Sequence, residues 1–140
     1  MRTSDTFIYE RDDEVCRWVE AQIGTHFYGY KSLGMVRDGK LIAGIVCDRF
    51  TPRECSMHIA GLSGRLWATR EAIYRAFEFP FIRLQRERIT VETAVHNAKA
   101  RAYNEHIGFV REGLKRGAGD DGCDMIIYGM LRSECRWLNI

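Results

Sequence analysis

Proline and long apolar runs are both scarce in this sequence. Only Pro52 and Pro80 occur among its 140 residues, and no apolar run approaches the length of a membrane-spanning helix. There is neither an internal repeat nor a low-complexity linker, which indicates one domain with its own core over residues 1–140. The N-terminus "MRTSDTFIYERDDE" has no apolar leader segment. The sequence therefore predicts a cytoplasmic protein with no membrane partner.

An excess of charge of one sign is also missing. The formal net charge is +2 at pH 7, and the basic residues are dispersed among acids, as in "REGLKRGAGDD". Binding to a phosphate backbone normally requires a concentrated basic stripe. The composition therefore predicts no nucleic-acid partner.

The cysteines show no spacing that is typical of a structural site. There are five of them, an odd number, and no two are separated as in C-x-x-C. This argues against a disulfide framework and against a zinc site, so no metal is predicted. Reduced thiols in a cytoplasmic protein are the simplest interpretation.

The remaining pattern predicts a mixed α/β domain. Asp38-Gly39 suits a tight hairpin turn, Thr69 and Asn97 suit helix N-caps, and Gly24 and Gly108 suit helix ends. Asp12 is expected to cap the first helix, and Pro80 to end or bend the second. The predicted order is a helix from about Asp13, a hairpin over "SLGMVRDGKLIAGIVCDRF", a strand at "CSMHIAGL", a helix at "ATREAIYRAFEFPFIRL", a strand at "RITVETAV", a short helix from Asn97, and strands near "FVREGLKR" and "CDMIIYGML".

Glu92 is the first candidate for chemistry. Strand alternation places it opposite Val91 and Val95, in the middle of a strand with apolar flanks. A carboxylate in apolar surroundings has a raised pKa, as a general base near neutral pH requires. The alternative is an ion pair with a neighbouring Arg or Lys on a solvated sheet face. His58 and His96 are each isolated in the sequence, which is typical of packed or surface residues.

A second candidate is the junction "GLSGRLWATREA", which joins a strand to a helix N-terminus. Free backbone N–H groups and the helix dipole at such a junction bind phosphate, and Arg65 adds a positive charge. The alternative is an ordinary tight connection.

These elements together resemble the GNAT family of acetyl-coenzyme A-dependent N-acetyltransferases. Asn97, Ala100, Gly108 and Phe109 match the pattern N-x-x-A-(x)7-G-F, and Glu92 stands five residues before Asn97. "CDMIIYGMLRSECRWL" is similar to the last strand of the family, D-x-x-x-Y-x-x-L-x-x-E. The resemblance covers about residues 85–137 and is most like small members carried by bacteria and their prophages. It implies a single-domain fold with a central, mixed, mostly antiparallel twisted sheet flanked by helices.

The resemblance also implies a set of site residues. Acetyl-coenzyme A would be the cosubstrate, with its pantetheine arm paired to the backbones of Ile59 and Ala60 and held by Asn97 and Ala100. Its pyrophosphate would lie on the loop that comprises Arg65, Leu66, Trp67, Ala68, Thr69 and Arg70. Glu92 would take a proton from an acceptor amine through water. Family members are commonly monomers or dimers.

Two departures from the family pattern concern the site. The phosphate loop of the family reads Q/R-x-x-G-x-G/A, whereas this chain has Ala68 and Arg70 at the two small positions. The tyrosine that protonates the leaving thiolate in the family stands seven residues after the asparagine. That position is Asn104 here, and Tyr103 is its neighbour on a broad helix face that includes Ile107. Either Tyr103 is the general acid, or it is a packed aromatic and the Asn104 amide or water stabilises the thiolate.

Two functions from different classes follow. The first is an N-acetyltransferase in which an amine, of a small molecule or a protein, attacks acetyl-coenzyme A directly in a ternary complex. The second is a catalytically degenerate binding module that acts through a protein partner, which the altered phosphate loop and the displaced tyrosine favour. The identity of the acceptor amine cannot be read from the sequence.

Overall fold

The computed structural model describes residues 5–62 and 67–138, and within these ranges it has three α-helices and seven strands. The predicted mixed α/β class is confirmed. The elements are β1 (Thr6–Ile8), α1 (Asp12–Ile23), β2 (Lys31–Arg37), β3 (Lys40–Asp48), β4 (Glu54–Gly61), α2 (Arg70–Glu78), β5 (Arg88–Ala94), α3 (Ala98–Ile107), β6 (Val110–Lys115) and β7 (Met125–Leu131).

All seven strands form one sheet in the order β1-β2-β3-β4-β5-β7-β6. Neighbouring strands are antiparallel except β4 and β5, which are parallel. This parallel pair is short: it extends from the Glu54–Arg88 pair to the Ser56–Thr90 pair and then stops. The predicted mixed, mostly antiparallel sheet is therefore confirmed, and its one parallel pairing is incomplete.

Several local predictions are confirmed by the backbone. Asp38 and Gly39 both have positive φ, 53° and 76°, as a tight hairpin turn requires. The Thr69 hydroxyl and the Asn97 side-chain oxygen accept hydrogen bonds from Ala72 N and Ala100 N, each at 3.1 Å. Gly108 ends α3 in the left-handed conformation.

The predicted cap at Asp12 is wrong. Arg11 occupies the N-cap position of α1 without a side-chain cap, and Asp12 is the first helical residue. The Asp12 carboxylate instead accepts a hydrogen bond of 2.7 Å from the backbone N–H of Ser32, at the start of β2. This contact fixes the beginning of α1 to the sheet. Strand β1 is a further element that the sequence did not predict.

Pro80 has the predicted effect on the second helix. The α-helix stops at Glu78, and the chain continues through a π-helical turn at Phe79–Arg83. Proline has no N–H to donate, so it suits a change of helical hydrogen-bonding register.

Helices cover both faces of the sheet, which creates two apolar layers. Helix α1 packs Val15 and Val19 against Val46 and Ala60 on one face. Helices α2 and α3 and the π-helical turn pack on the other face, whose sheet residues include Leu33, Met57, Ile89 and Tyr128. We refer to these as the α1 face and the α3 face. No helix in the described ranges is both long enough and apolar enough to cross a bilayer.

Gly44 allows α1 to approach the sheet closely. A Cβ atom at this position would lie 2.7 Å from Val19 Cγ2 and 3.2 Å from Val15 Cγ1, closer than side chains normally pack. The β-branched side chains of α1 have little freedom to move aside.

We expect Gly44→Ala to lower the free energy of unfolding by about 1–3 kcal/mol through this overpacking, as measured by urea unfolding. The matched control is Gly113→Ala, in β6, where the new Cβ would make only an ordinary contact of 3.8 Å with Ile127. Equal stability of the two variants would contradict the close packing of α1 on β3.

Candidate active site

Where β4 and β5 diverge, a cleft opens through the sheet. A cavity of about 420 Å³ lies between the unpaired part of β4, from Met57 to Gly61, and the part of β5 from Val91 to Ala94. The end of α1, at Ile23, and the inner side of α3 complete its lining. The cavity is therefore lined by residues of both sheet faces.

The edge of β4 in this cleft offers backbone hydrogen bonds. Leu62 N donates to Ile42 O across the β3–β4 pair. In an antiparallel pair every second residue of a strand bonds to the same neighbour, so Ala60 and His58 also bond to β3. The backbone groups of Ala60 are thereby used within the sheet, and those of Ile59 point into the cleft. The pairing of pantetheine with the backbones of Ile59 and Ala60 stays a prediction, for which the strand edge offers the groups of Ile59. The Ala60 side chain lies in the layer under α1.

Helix α3 presents one face to the cleft. Ala100, Tyr103, Asn104 and Ile107 all line the cavity, as their helical spacing requires. Asn97 also lines it, while its side-chain oxygen caps the helix. The sequence placed Tyr103 and Asn104 on a shared face with Ile107, and the structure confirms this.

Tyr103 and Asn104 differ in what their polar groups do. Asn104 is buried, and its Nδ2 donates a hydrogen bond of 2.8 Å to Thr93 Oγ1 on β5. Tyr103 is 36% exposed, and burial raises the pKa of its hydroxyl. Asn104 thus links α3 to β5, whereas Tyr103 keeps a protonated hydroxyl at the cleft.

Glu92 lines the cavity but not in the surroundings expected for it. Its carboxylate lies 2.9 Å from Lys115 Nζ and 3.5 Å from Arg49 Nη1, and its side chain is 23% exposed. The expectation of an apolar environment is wrong, and the alternative of an ion pair on a solvated sheet face describes what the structure shows. Strand alternation predicted correctly on which sheet face Glu92 lies. It could not predict the two cations, because Lys115 belongs to β6 and Arg49 to the β3–β4 connection.

A second cavity of about 790 Å³ continues the cleft along α3, with Trp67 and Tyr103 shared between the two. Lys99 and His106, on α3, add basic groups to this end. Sequence reasoning missed both, although helical spacing from Asn97 places them beside the predicted pantetheine residues. The indole of Trp67 lies so close to Gly61 that a Cβ there would have no room.

The predicted phosphate loop is described only in part. Arg65 lies outside the described residues, as does Leu66. Of the others, Ala68 and Arg70 are exposed, and Thr69 caps α2. Arg70 is the first residue of α2, where the N–H groups of the first turn have no acceptor within the helix.

Histidine His58, which the sequence left isolated, has a partner in the structure. His58 Nε2 lies 2.9 Å from Asp48 Oδ1, and His58 lines the first cavity together with Glu92. The antiparallel β3–β4 register pairs Asp48 with Ser56 and Val46 with His58, which places Asp48 and His58 diagonally on one face. The pair becomes visible only once the β3–β4 register is known.

His96 also has a partner, outside both cavities. Its Nε2 lies 3.1 Å from Asp121 Oδ2, and Cys123 brings a third metal-ligating group within 4.8 Å of the other two. The Asp121 carboxylate is already engaged, since His96, the Cys123 thiol and the Cys123 backbone N–H hold its pKa well below the usual range. These contacts account for the cluster as a link between the β6–β7 turn and the start of α3.

Solved structures with this architecture include acetyltransferases. The chain superposes on the spermidine/spermine N-acetyltransferase SpeG of Vibrio cholerae with a TM-score of 0.78 and 18% identity, covering 97% of this chain and 98% of that one. The chain has the GNAT acetyltransferase fold. A SpeG complex with CoA and spermine (TM-score 0.75, 19% identity, 96% and 98% covered) and a probable acetyltransferase (0.68, 19%, 93% and 94%) are also similar. SpeG has also been solved as a dodecamer. No protein-family model and no curated protein matches the sequence.

The GNAT fold accounts for the positions of the sequence patterns. The N-x-x-A pattern lies at the start of α3, where Asn97 and Ala100 line the cleft. Gly108 and Phe109 lead from α3 to β6, and Phe109 also reaches the cavity lining. Four of the residues that carried the resemblance therefore line one cavity, namely Glu92, Asn97, Ala100 and Phe109.

The Thr93–Asn104 hydrogen bond yields a prediction about stability. Thr93→Val leaves the buried Asn104 amide without its partner, and we expect the free energy of unfolding to fall by about 1–3 kcal/mol. Replacing both residues, as Thr93→Val with Asn104→Leu, should restore part of the loss because no buried polar group is then unpaired.

The control for this pair is Thr6→Val, at an exposed position in β1. All variants are compared by urea unfolding with circular dichroism. A Thr93→Val variant as stable as Thr6→Val would mean that the hydrogen bond does not tie α3 to β5.

Proposed function

We propose that this protein is an acetyl-coenzyme A-dependent N-acetyltransferase, which transfers an acetyl group to a primary amine by direct attack in a ternary complex. The observation that carries the proposal is the cleft through the sheet between β4 and β5. The cleft lies between the strand edge at Ile59, which is not paired with β5, and Asn97, the N-cap of α3. The fold that contains it is shared with acetyltransferases.

The residues fit coenzyme A in two respects. The pantetheine arm contains amide groups, and the free backbone of Ile59, continued at Gly61, supplies matching donors and acceptors at the strand edge. The phosphates need positive charge, which Lys99 in the lining of the second cavity and Arg70 at the α2 N-terminus would supply. Ala68 is small enough for the backbone to approach a phosphate. Arg65 belongs to this proposal from its sequence position alone.

The chemistry needs a proton donor for the leaving thiolate and a site for the amine. Tyr103 is proposed as the donor, since the raised pKa of its hydroxyl keeps it protonated at the cleft. Asn104, bonded to Thr93, positions the helix segment that carries Tyr103. Glu92 faces the α1 side of the cavity, where its carboxylate can accept a hydrogen bond from the amine. Holding the two reactants together would supply much of the rate enhancement.

The acceptor is proposed only as a primary amine. The similar structures include enzymes for spermidine and spermine, which are polycations. Among the described residues that line the first cavity, Glu92 is the one carboxylate, and it is already paired with two cations. This charge arrangement does not favour a polycation over other amines.

A cytoplasmic location is part of the proposal. All five cysteines are unpaired, including Cys47 and Cys55, which are buried beside each other on β3 and β4. Buried thiols that are close and remain reduced are consistent with a reducing compartment.

The first experiment is isothermal titration with acetyl-coenzyme A. We expect binding, and we expect Arg70→Glu and Lys99→Glu each to weaken it by about tenfold, because each removes a charge-assisted contact with phosphate. The matched control is Lys40→Glu, which makes the same charge change at the start of β3, outside both cavities.

Turnover is then measured as release of coenzyme A thiol, with spermidine and a short peptide with a free N-terminus as acceptors. Acetyl transfer to either one supports the proposal. Absence of any binding at millimolar acetyl-coenzyme A, or of acetyl transfer to both acceptors, would reject it and leave the partner-binding module as the remaining function.

A further inference from the structure

We propose that His58, oriented by Asp48, is the base that takes the proton from the acceptor amine. This inference rests on the proposed acetyltransferase function and changes its base from Glu92 to a histidine on the neighbouring strand. The observation behind it is a histidine–aspartate pair that opens into the cleft on the α1 face.

The pair is fixed by the sheet register. Asp48 ends β3 and His58 lies in the middle of β4, on the same face and diagonal to each other. Asp48 is only 6% exposed, and its Oδ1 lies 2.9 Å from His58 Nε2. A buried carboxylate in this position accepts a hydrogen bond from the Nε2–H of the neutral ring. That bond sets the tautomer and leaves Nδ1 as the basic nitrogen.

The ring of His58 is also held from its side. Phe27 lies against it with ring centroids 4.4 Å apart at an angle of 43°. Phe27 itself is buried in the apolar layer of α1. The His58 side chain nevertheless remains 32% exposed and lines the cavity. A ring that is fixed on two sides and open on the third is suited to proton transfer.

The position of His58 separates the two reactants. Ile59, Asn97 and Tyr103 mark where the pantetheine arm would lie, along the β4 edge and α3. His58 and Glu92 point to the α1 face, since they alternate with Met57, Ile59 and Val91 along their strands. An amine that enters from the α1 face therefore meets His58 before it reaches the thioester.

Glu92 is less suited to be the base. Its carboxylate is already held by Lys115 at 2.9 Å and by Arg49 at 3.5 Å. His58 lies instead against the carboxylate of Asp48, which stabilises the imidazolium that forms when the ring accepts a proton. The geometry therefore favours the imidazole as the general base.

The proposed transfer moves one acetyl group and two protons. The neutral amine nitrogen attacks the carbonyl carbon of the thioester, and an N–C bond forms while the C–S bond breaks. The proton of the amine passes to His58 Nδ1, and Asp48 stabilises the imidazolium. The coenzyme A thiolate leaves and takes a proton from Tyr103. His58 then releases its proton to solvent and Tyr103 regains one from solvent, so that the products are the acetylated amine and coenzyme A.

The experiment compares His58→Gln and His58→Ala with the wild-type protein, using the acceptor that gives turnover. We expect kcat to fall by about 10²–10⁴-fold in both variants, the usual contribution of a general base. Acetyl-coenzyme A affinity should stay within about twofold of wild type. Added imidazole should restore part of the activity of His58→Ala, because it can enter the space beside Phe27. Glu92→Gln should lower kcat less than His58→Gln does.

His96→Ala is the control, since His96 is exposed and outside both cavities. It should keep wild-type turnover and show no response to imidazole. Asp48→Asn tests the positioning role: it should lower kcat and move the acid limb of the pH–rate profile, while acetyl-coenzyme A affinity is retained.

Each outcome decides the matter. If the wild type is active and His58→Gln keeps more than a third of its kcat, the inference is wrong and the proposed function stands. If His58→Ala is inactive, binds acetyl-coenzyme A and does not respond to imidazole, the histidine is structural and the inference is again wrong. If the wild type transfers no acetyl group to either acceptor, the proposed function fails and this inference fails with it. His58→Gln, which nearly preserves side-chain volume, decides the case if His58→Ala does not fold.

Discussion

The short parallel pairing between β4 and β5 is the constraint on which the rest of the site depends. Three residue pairs hold the strands together at one end, and the remaining halves of both strands diverge. A fully paired sheet would use the backbone groups of Ile59 internally and would leave no space between Met57 and Val91. The site therefore exists because the sheet leaves one pairing unfinished.

Contacts on both faces keep the cleft open. On the α3 face, the Asn104–Thr93 hydrogen bond holds the helix against β5, and Trp67 packs on Gly61 at the end of β4. On the α1 face, Gly44 lets the helix approach β3 closely, so its last residue, Ile23, reaches the cavity. An unpaired strand edge costs free energy unless something hydrogen-bonds to it. A pantetheine arm, with its amide groups, would satisfy this edge, which is how the fold and the proposed ligand fit each other.

Most features of the fold were predicted correctly from local signals in the sequence. Most errors concern residues whose partners are distant in the sequence. The Asp38-Gly39 turn, the Asn97 cap and the Gly108 helix end each depend on a few neighbouring residues, and all three were predicted correctly. Asp12 was misread as a cap because its real partner, Ser32, is 20 residues away. The surroundings of Glu92 were misread for the same reason, since Arg49 and Lys115 are 43 and 23 residues from it.

The pair Asp48–His58 shows what a sequence reading needs in order to find such a site. The two residues are only ten apart, but their contact follows from the register of β3 on β4 and not from their spacing. Knowing that both strands exist does not give this register. A shift of one residue in the register would change which residues share a face. Patterns along one strand or one helix are therefore readable in advance, whereas the chemistry that arises between strands has to be taken from the structure.

At positions 103 and 104 of α3, a tyrosine stands one residue before the place where the family pattern has it, and an asparagine occupies that place. In the family pattern, the residue seven after the asparagine is a tyrosine at the thiolate. Here that residue is Asn104, which is buried. Its amide donates a hydrogen bond to Thr93, so it links α3 to β5 beside the cleft. Tyr103 lies one step around the helix and still lines both cavities. Because a longer side chain from the adjacent position can reach the same space at another angle, the substitution moves the hydroxyl without removing it. The departure from the family pattern is therefore a rearrangement within one helix face, and it leaves the cleft with a tyrosine hydroxyl on the α3 face, opposite the proposed base on the α1 face.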